Sequence, residues 1–187
     1  MKILLLLTFS LLLSVNVFAQ YPEITIMDIQ YQHPDSLLLN GDQASPYNGD
    51  TVTVVGLVMV APFRDANPDS GTTLIAGAPA IILQDTSTRE FGGILARFPG
   101  SNATFNVLDT GTVIRATGWV DEYFKTTQLN IIQFEGSDVL GFMERHEPVQ
   151  LTLDSLADLG GREGKVLAEK WEQVFINVDM VTATSGG

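Results

Sequence analysis

Hydrophobic and polar positions along the middle of this chain read as one strand after another, separated by turn clusters. Thr51-Val52-Thr53-Val54-Val55-Gly56-Leu57-Val58-Met59-Val60 is dense in β-branched residues, and Gly56 in its middle predicts a bulge or sharp bend. Ala80 to Asp85 follows as a second strand and Gly93 to Phe98 as a third, with a turn over Thr86 to Gly92 between them. Thr112 to Tyr123, interrupted by Gly118, and Thr126 to Phe134 complete the set. Five strands within about 85 residues, two of them long and glycine-bent, predict a small closed or partly closed barrel. A sandwich is the alternative, although it would use more strands.

Helical signal is sparse. Asp154 is a good N-cap ahead of Leu156 and Leu159, and Gly160-Gly161 stops that segment. A second helical turn is expected around Lys165 to Lys170, whereas Gly160-Gly161-Arg162-Glu163-Gly164 reads as a linker because no strand precedes it and no phosphate-loop lysine spacing is present. From Glu172 to Thr184 the pattern returns to strand. Ile176 to Thr182 can be laid over Val55 to Ala61 without a gap, as if a barrel were being started again, so the chain is expected to continue into further domains beyond Gly187.

The N-terminus changes which residues count. Lys2, the apolar run Ile3 to Leu13 and the small-residue end Val17-Phe18-Ala19 form a cleavable export signal that leaves Gln20 as the new terminus. Ser14 and Asn16 cut the apolar stretch short of a span, so no membrane association is expected after cleavage. The expected destination is the periplasm or the exterior.

Composition narrows the chemistry. Of the 187 residues 45% are hydrophobic and only 17% charged, which suits a packed core rather than disorder. There is no cysteine, which excludes disulfides, thiolate metal sites, cysteine nucleophiles and lipid attachment at the cleavage site. The net charge of −12 loses one positive charge with Lys2 and becomes −13 after export. A chain this acidic repels a polyanion unless its few cations share one face.

Against this background a family resemblance can be stated. Ile24-Thr25-Ile26-Met27-Asp28-Ile29-Gln30, then Ser45-Pro46-Tyr47-Asn48-Gly49-Asp50 running into Thr51 to Val58, resembles the entry to the OB-fold domain of secreted bacterial nucleases of the endonuclease/exonuclease/phosphatase class. Ile82-Leu83-Gln84-Asp85, Gly111 to Val120, Thr127-Gln128-Leu129 and Glu169-Lys170-Trp171-Glu172 are similar to its later elements. The resemblance implies an all-β, five-stranded OB-fold-like barrel with short helices over residues 45–148, where the stable core is expected. A lead-in over 20–44 precedes it. A linker with short helices over 149–171 follows, then the first strand of a second OB-like unit over 172–187. In that class catalysis belongs to a separate domain that this sequence does not contain, so the resemblance implies an accessory module.

The residues themselves offer no catalytic constellation. His33 and His146 stand in turn or acidic surroundings outside any metal or base motif, and no nucleophile elbow occurs. Asp65, Asn67 and Asp69 alternate like calcium ligands, but Gly71 comes one position late and Ala76 stands where a closing acid is needed, so a plain loop is expected. Neither metal nor cofactor is expected. OB-folds bind ligands by stacking on displayed aromatics, and Phe98, Trp119, Tyr123, Phe124 and Phe134 lie on or beside strands. Trp119 and Tyr123 share strand parity with Arg115, and Arg97 and Lys125 lie close by, so Arg97, Arg115, Trp119, Tyr123 and Lys125 are the candidate ligand residues. Two readings remain open: a non-catalytic binding or spacer module whose ligand is a protein, a glycan or single-stranded nucleic acid, and the N-terminal accessory portion of an extracellular nuclease.

Overall fold

The computed structural model describes residues 21–62, 74–75, 78–100, 102–152 and 162–179. The export segment, the Asp65 to Gly71 loop, the helix expected at Asp154 and the stretch beyond Asp179 lie outside the described residues.

Five strands build the barrel: β1 (Thr51–Val60), β3 (Ala78–Asp85), β4 (Gly93–Arg97), β5 (Thr112–Tyr123) and β6 (Thr126–Gln133), with a two-residue β2 (Leu74–Ile75) paired to β3. They are ordered β1-β3-β4-β6-β5, and β5 pairs back onto β1 to close the ring. Every pair in the ring is antiparallel except β4 with β6, which is parallel. This is an all-β barrel of OB type. β7 (Val139–Phe142) adds an edge to β5, and β8 (Val149–Leu151) pairs in parallel with β9 (Ile176–Val178) in a separate small sheet. Of the stretch 172–187 expected to open a second unit, residues 172–179 are described, and only Ile176–Val178 of them form a strand, β9.

The core follows strand alternation. Val52, Val54 and Val58 of β1, Ile81 and Leu83 of β3, Ile94 and Ala96 of β4, Ile114, Ala116 and Val120 of β5, and Leu129 and Ile131 of β6 point inward and pack together. Gly118 gives the bend expected of it: the β5–β6 register shifts there, and a Cβ at this position would meet the Asn130 carbonyl at 2.5 Å. Gly56 serves a different purpose from the bulge expected in β1. The β1–β3 irregularity lies between Val58 and Val60, and Gly56 instead leaves room for Ile26, whose Cδ1 would be 3.1 Å from a Cβ at that position.

Ile26 belongs to α1 (Ile26–Gln30), where Thr25 caps the helix by accepting from the Asp28 amide while the Asp28 carboxylate accepts from the Thr25 amide. Ile26 and Ile29 are fully buried in the barrel core, so the lead-in supplies core residues to a barrel expected to begin at residue 45. Gln30 donates to the Gly93 carbonyl at the N-terminal end of β4. The other end is closed by α3 (Ala103–Asn106), whose Phe105 is buried between the rings of Phe98 and Phe134 at 5.6 and 5.7 Å. Asn102 fixes α3 by accepting from the Phe105 amide and donating to the Phe134 carbonyl.

After β8 the chain returns to the barrel. α4 (Arg162–Lys170) begins within the stretch read as a linker, so Arg162 to Gly164 form its first turn. α2 (Pro34–Asn40) packs against α4. The turn Trp171–Gln173 then lies on the outside of β4.

Candidate ligand surface

Alternation along β5 sets the surface. Ile114, Ala116, Gly118 and Val120 are buried, so Arg115, Thr117, Trp119, Asp121 and Tyr123 form the outward row. Trp119 is 39% and Tyr123 44% exposed, large aromatic areas left on the outer surface. On β6 the same alternation turns Gln128 and Asn130 outward between inward Leu129 and Ile131. Register then aligns Arg97, Asn130 and Trp119 in one lateral row across β4, β6 and β5.

The row is laced with amides. The Arg97 guanidinium donates to Gln128 Oε1 at 3.4 Å, and Gln128 Nε2 donates onward to Asp121 Oδ2 at 3.3 Å. Asn130 is 3% exposed and its Nδ2 has no hydrogen-bond partner among the described residues, an unusual state for a buried amide. Sequence reading passed over Gln128 and Asn130, although the polar–apolar alternation of Gln128-Leu129-Asn130-Ile131 marked both as outward.

At the tip, the β5–β6 hairpin turns through Phe124 and Lys125 with φ of 50° and 67°. Both residues are in the left-handed region that a two-residue hairpin turn requires and that glycine or asparagine occupies at least cost. Phe124 is 86% exposed, and its ring meets that of Tyr123 edge-on at 4.6 Å. A strained turn thus holds an aromatic pair and an ammonium out from the barrel end.

The five sequence-derived residues fall into separate places. Arg97 and Trp119 flank Asn130. Tyr123 and Lys125 belong to the tip, about 13 Å along β5 from Trp119 by strand rise. Arg115 lies the same distance away in the other direction, and its Nε donates to Glu23 Oε2 at 3.1 Å. Phe98 and Phe134 are not on this surface at all, because they pack on Phe105 at the barrel end. His33 is an exposed N-cap of α2, and His146 Nε2 bonds the Asp85 carbonyl at 2.9 Å.

Electrostatics oppose an anion here. Beside the tip, Glu122 accepts from the Ser45 amide at 3.0 Å and from Thr127 Oγ1 at 2.6 Å. Burial, with Asp42, Glu172 and Glu122 as neighbours and Lys125 opposing, pushes the Glu169 carboxyl up to about 8. Burial and then Asp42 raise Glu172 to about 7, against a hydrogen bond from Thr126, with Glu122 adding to the rise. Among the described residues no group of three or more histidines and acids is placed to hold a metal ion.

No family model matches the chain, and no curated protein is significantly similar to it. Among solved structures, a candidate aspartyl-tRNA synthetase from Leishmania major Friedlin is similar at 11% identity and a TM-score of 0.40, over 78% of this chain and 25% of that one. The hypothetical protein ygiW from E. coli is similar at 16% identity and a TM-score of 0.30, over 47% of this chain and 75% of that one. The chain therefore spans about a quarter of the synthetase it matches. The fold assignment rests on strand order and register rather than on either similarity.

Proposed function

We propose that this chain is a non-catalytic binding module whose OB barrel offers the outer face of β5 and β6, with the hairpin tip, to a neutral, hydroxyl-rich ligand of the oligosaccharide class. OB barrels take both oligonucleotides and oligosaccharides, and the neighbouring third strand and the loop between the fourth and fifth strands are parts they use. The observation that separates the two ligands is the state of the cations. Arg115 is paired with Glu23, and Arg97 is held in the Gln128–Asp121 chain. What stays exposed is the aromatic area of Trp119, Tyr123 and Phe124, which suits stacking against sugar faces.

Titration calorimetry against a panel of neutral oligosaccharides tests this, with labelled single-stranded DNA in anisotropy across a salt series as the counter-test. The expected result is oligosaccharide binding that Trp119→Ala removes, and DNA binding no tighter than about 10⁻⁴ to 10⁻⁶ M. Sub-micromolar DNA binding that falls steeply with salt and is lost in Arg115→Ala would overturn the reading. So would silence across the whole oligosaccharide panel.

Export through the N-terminal signal and service within a larger secreted protein, which the resemblance to nuclease-associated OB segments implies, belong to the same proposal. N-terminal sequencing of the exported protein is expected to begin at Gln20, and the open reading frame beyond Gly187 is expected to encode further domains. Metal-dependent phosphodiester hydrolysis by repurified protein, lost on a point substitution within this chain, would overturn the non-catalytic part.

A further inference from the structure

We propose that α4 and the Trp171–Gln173 turn form a pH-responsive latch, docked on β4 and the base of the β5–β6 hairpin in acid and released as the pH rises through neutrality. It deepens the binding proposal by placing a control beside the same hairpin, but the docking itself depends on nothing that binds.

The docking is a specific interface. The Phe91 amide donates to the Lys170 carbonyl at 2.8 Å, and Lys170 Nζ pairs with Glu90 at 2.8 Å. The turn passes so near Gly93 that a Cβ there would fall 2.6 Å from the Glu172 carbonyl oxygen and closer still to Gln173. Gln173 has a φ of 55° and Phe91 one of 54°, so both sides of the contact hold a left-handed backbone to make it. Val174 is buried directly after the turn.

The same interface gathers like charge. Facing Glu169 and Glu172 are Asp42 from the chain after α2, Glu122 from β5 and, from the hairpin turn, Lys125. Among the described side chains, four carboxylates thus meet one ammonium, since Lys170 is engaged by Glu90. Thr126 gives Glu172 a hydrogen bond, and the Ser45 amide and Thr127 hydroxyl occupy Glu122. Nothing comparable serves Glu169 among the described residues, and burial is the first cause of its rise.

The direction of the effect follows from linkage. A carboxyl whose pKa is higher docked than free binds a proton more readily in the docked state. Docking is therefore undiminished below the ordinary value of 4.5 and weakens as pH climbs through about 7 for Glu172 and about 8 for Glu169. Above both values the pair is ionised against Asp42 and Glu122, and the latch is at its weakest. Release uncovers Gly93 on the outer face of β4 and frees Thr126 at the foot of the aromatic tip.

Amide hydrogen exchange of the exported chain, corrected for the intrinsic rate, tests this without any ligand, so its failure and the failure of the binding proposal are distinguishable. Phe91 reports the latch through its bond to Lys170, and Val120 reports the barrel through its bond to the Asp50 carbonyl. Between about pH 5.5 and pH 8.5, Phe91 protection is expected to fall by about tenfold or more while Val120 holds. Glu169→Gln with Glu172→Gln is expected to keep Phe91 protected across that range. Asp42→Asn, which leaves both glutamates in place, is expected to reduce the loss and covers the case in which the double variant folds poorly. A constant Phe91-to-Val120 ratio in the unaltered protein, or an undiminished loss in these variants, would overturn the latch.

Discussion

Gly93 and Gln173 touch backbone to backbone, with the carbonyl of Gln173 occupying the space a side chain on Gly93 would need. A strand residue and a turn 80 positions later in the chain are thereby committed to one another. Gly93→Ala should force the turn off β4, at a cost of about 1–3 kcal/mol for overpacking. Urea unfolding of the two proteins measures it, and an unchanged midpoint would mean that the turn is not held there.

Removing the lead-in should weaken the barrel, because Ile26 and Ile29 are fully buried among the strands. Each Ile→Ala substitution is expected to cost about 2–5 kcal/mol through lost contacts and a residual cavity. A fragment of residues 45–148 is accordingly expected to melt well below one of residues 20–148. Equal melting temperatures would place the lead-in outside the cooperative unit.

The aromatic row should separate binding from stability. Trp119→Ala and Tyr123→Ala remove side chains that are 39% and 44% exposed, so each is expected to lower the unfolding free energy by about 1–3 kcal/mol without unfolding the barrel. Oligosaccharide affinity should fall by more than about 1 kcal/mol for each, as for an anchor in a binding surface. Calorimetry beside thermal melts gives both numbers, and a variant that loses stability while keeping affinity would assign its ring to packing.

Replacing the tip should have the opposite profile. Phe124 and Lys125 both sit at positive φ, and the left-handed region costs a non-glycine residue about 1–2 kcal/mol. Phe124→Asn with Lys125→Gly supplies the residues that a two-residue hairpin turn favours. The melting temperature is expected to rise and ligand affinity to fall. A fall in melting temperature would show that the Tyr123–Phe124 ring contact outweighs the strain.

What the sequence determined by itself is the five strands of the barrel and which way they face, while β2, β7 and β8, the last of them within the stretch expected as a linker with short helices, came only with the fold. β1 and β5 occupy the spans read from alternation, and β3, β4 and β6 differ from expectation only at their ends. Period-two patterning is a local property, and a strand with one buried face must obey it. The same rule put Arg115, Trp119 and Tyr123 on one outward row. What only the tertiary structure decided is every relation between residues far apart in the chain. Nothing local could show that Ile26 fills the space above Gly56, that Glu23 neutralises Arg115, or that Arg97, Asn130 and Trp119 align across three strands. Those pairings are fixed by barrel closure, which sets register between strands rather than within them. The crowding of Glu169 and Glu172 against Asp42 and Glu122 has the same origin, because burial and approach by residues far along the chain are the first causes of both rises.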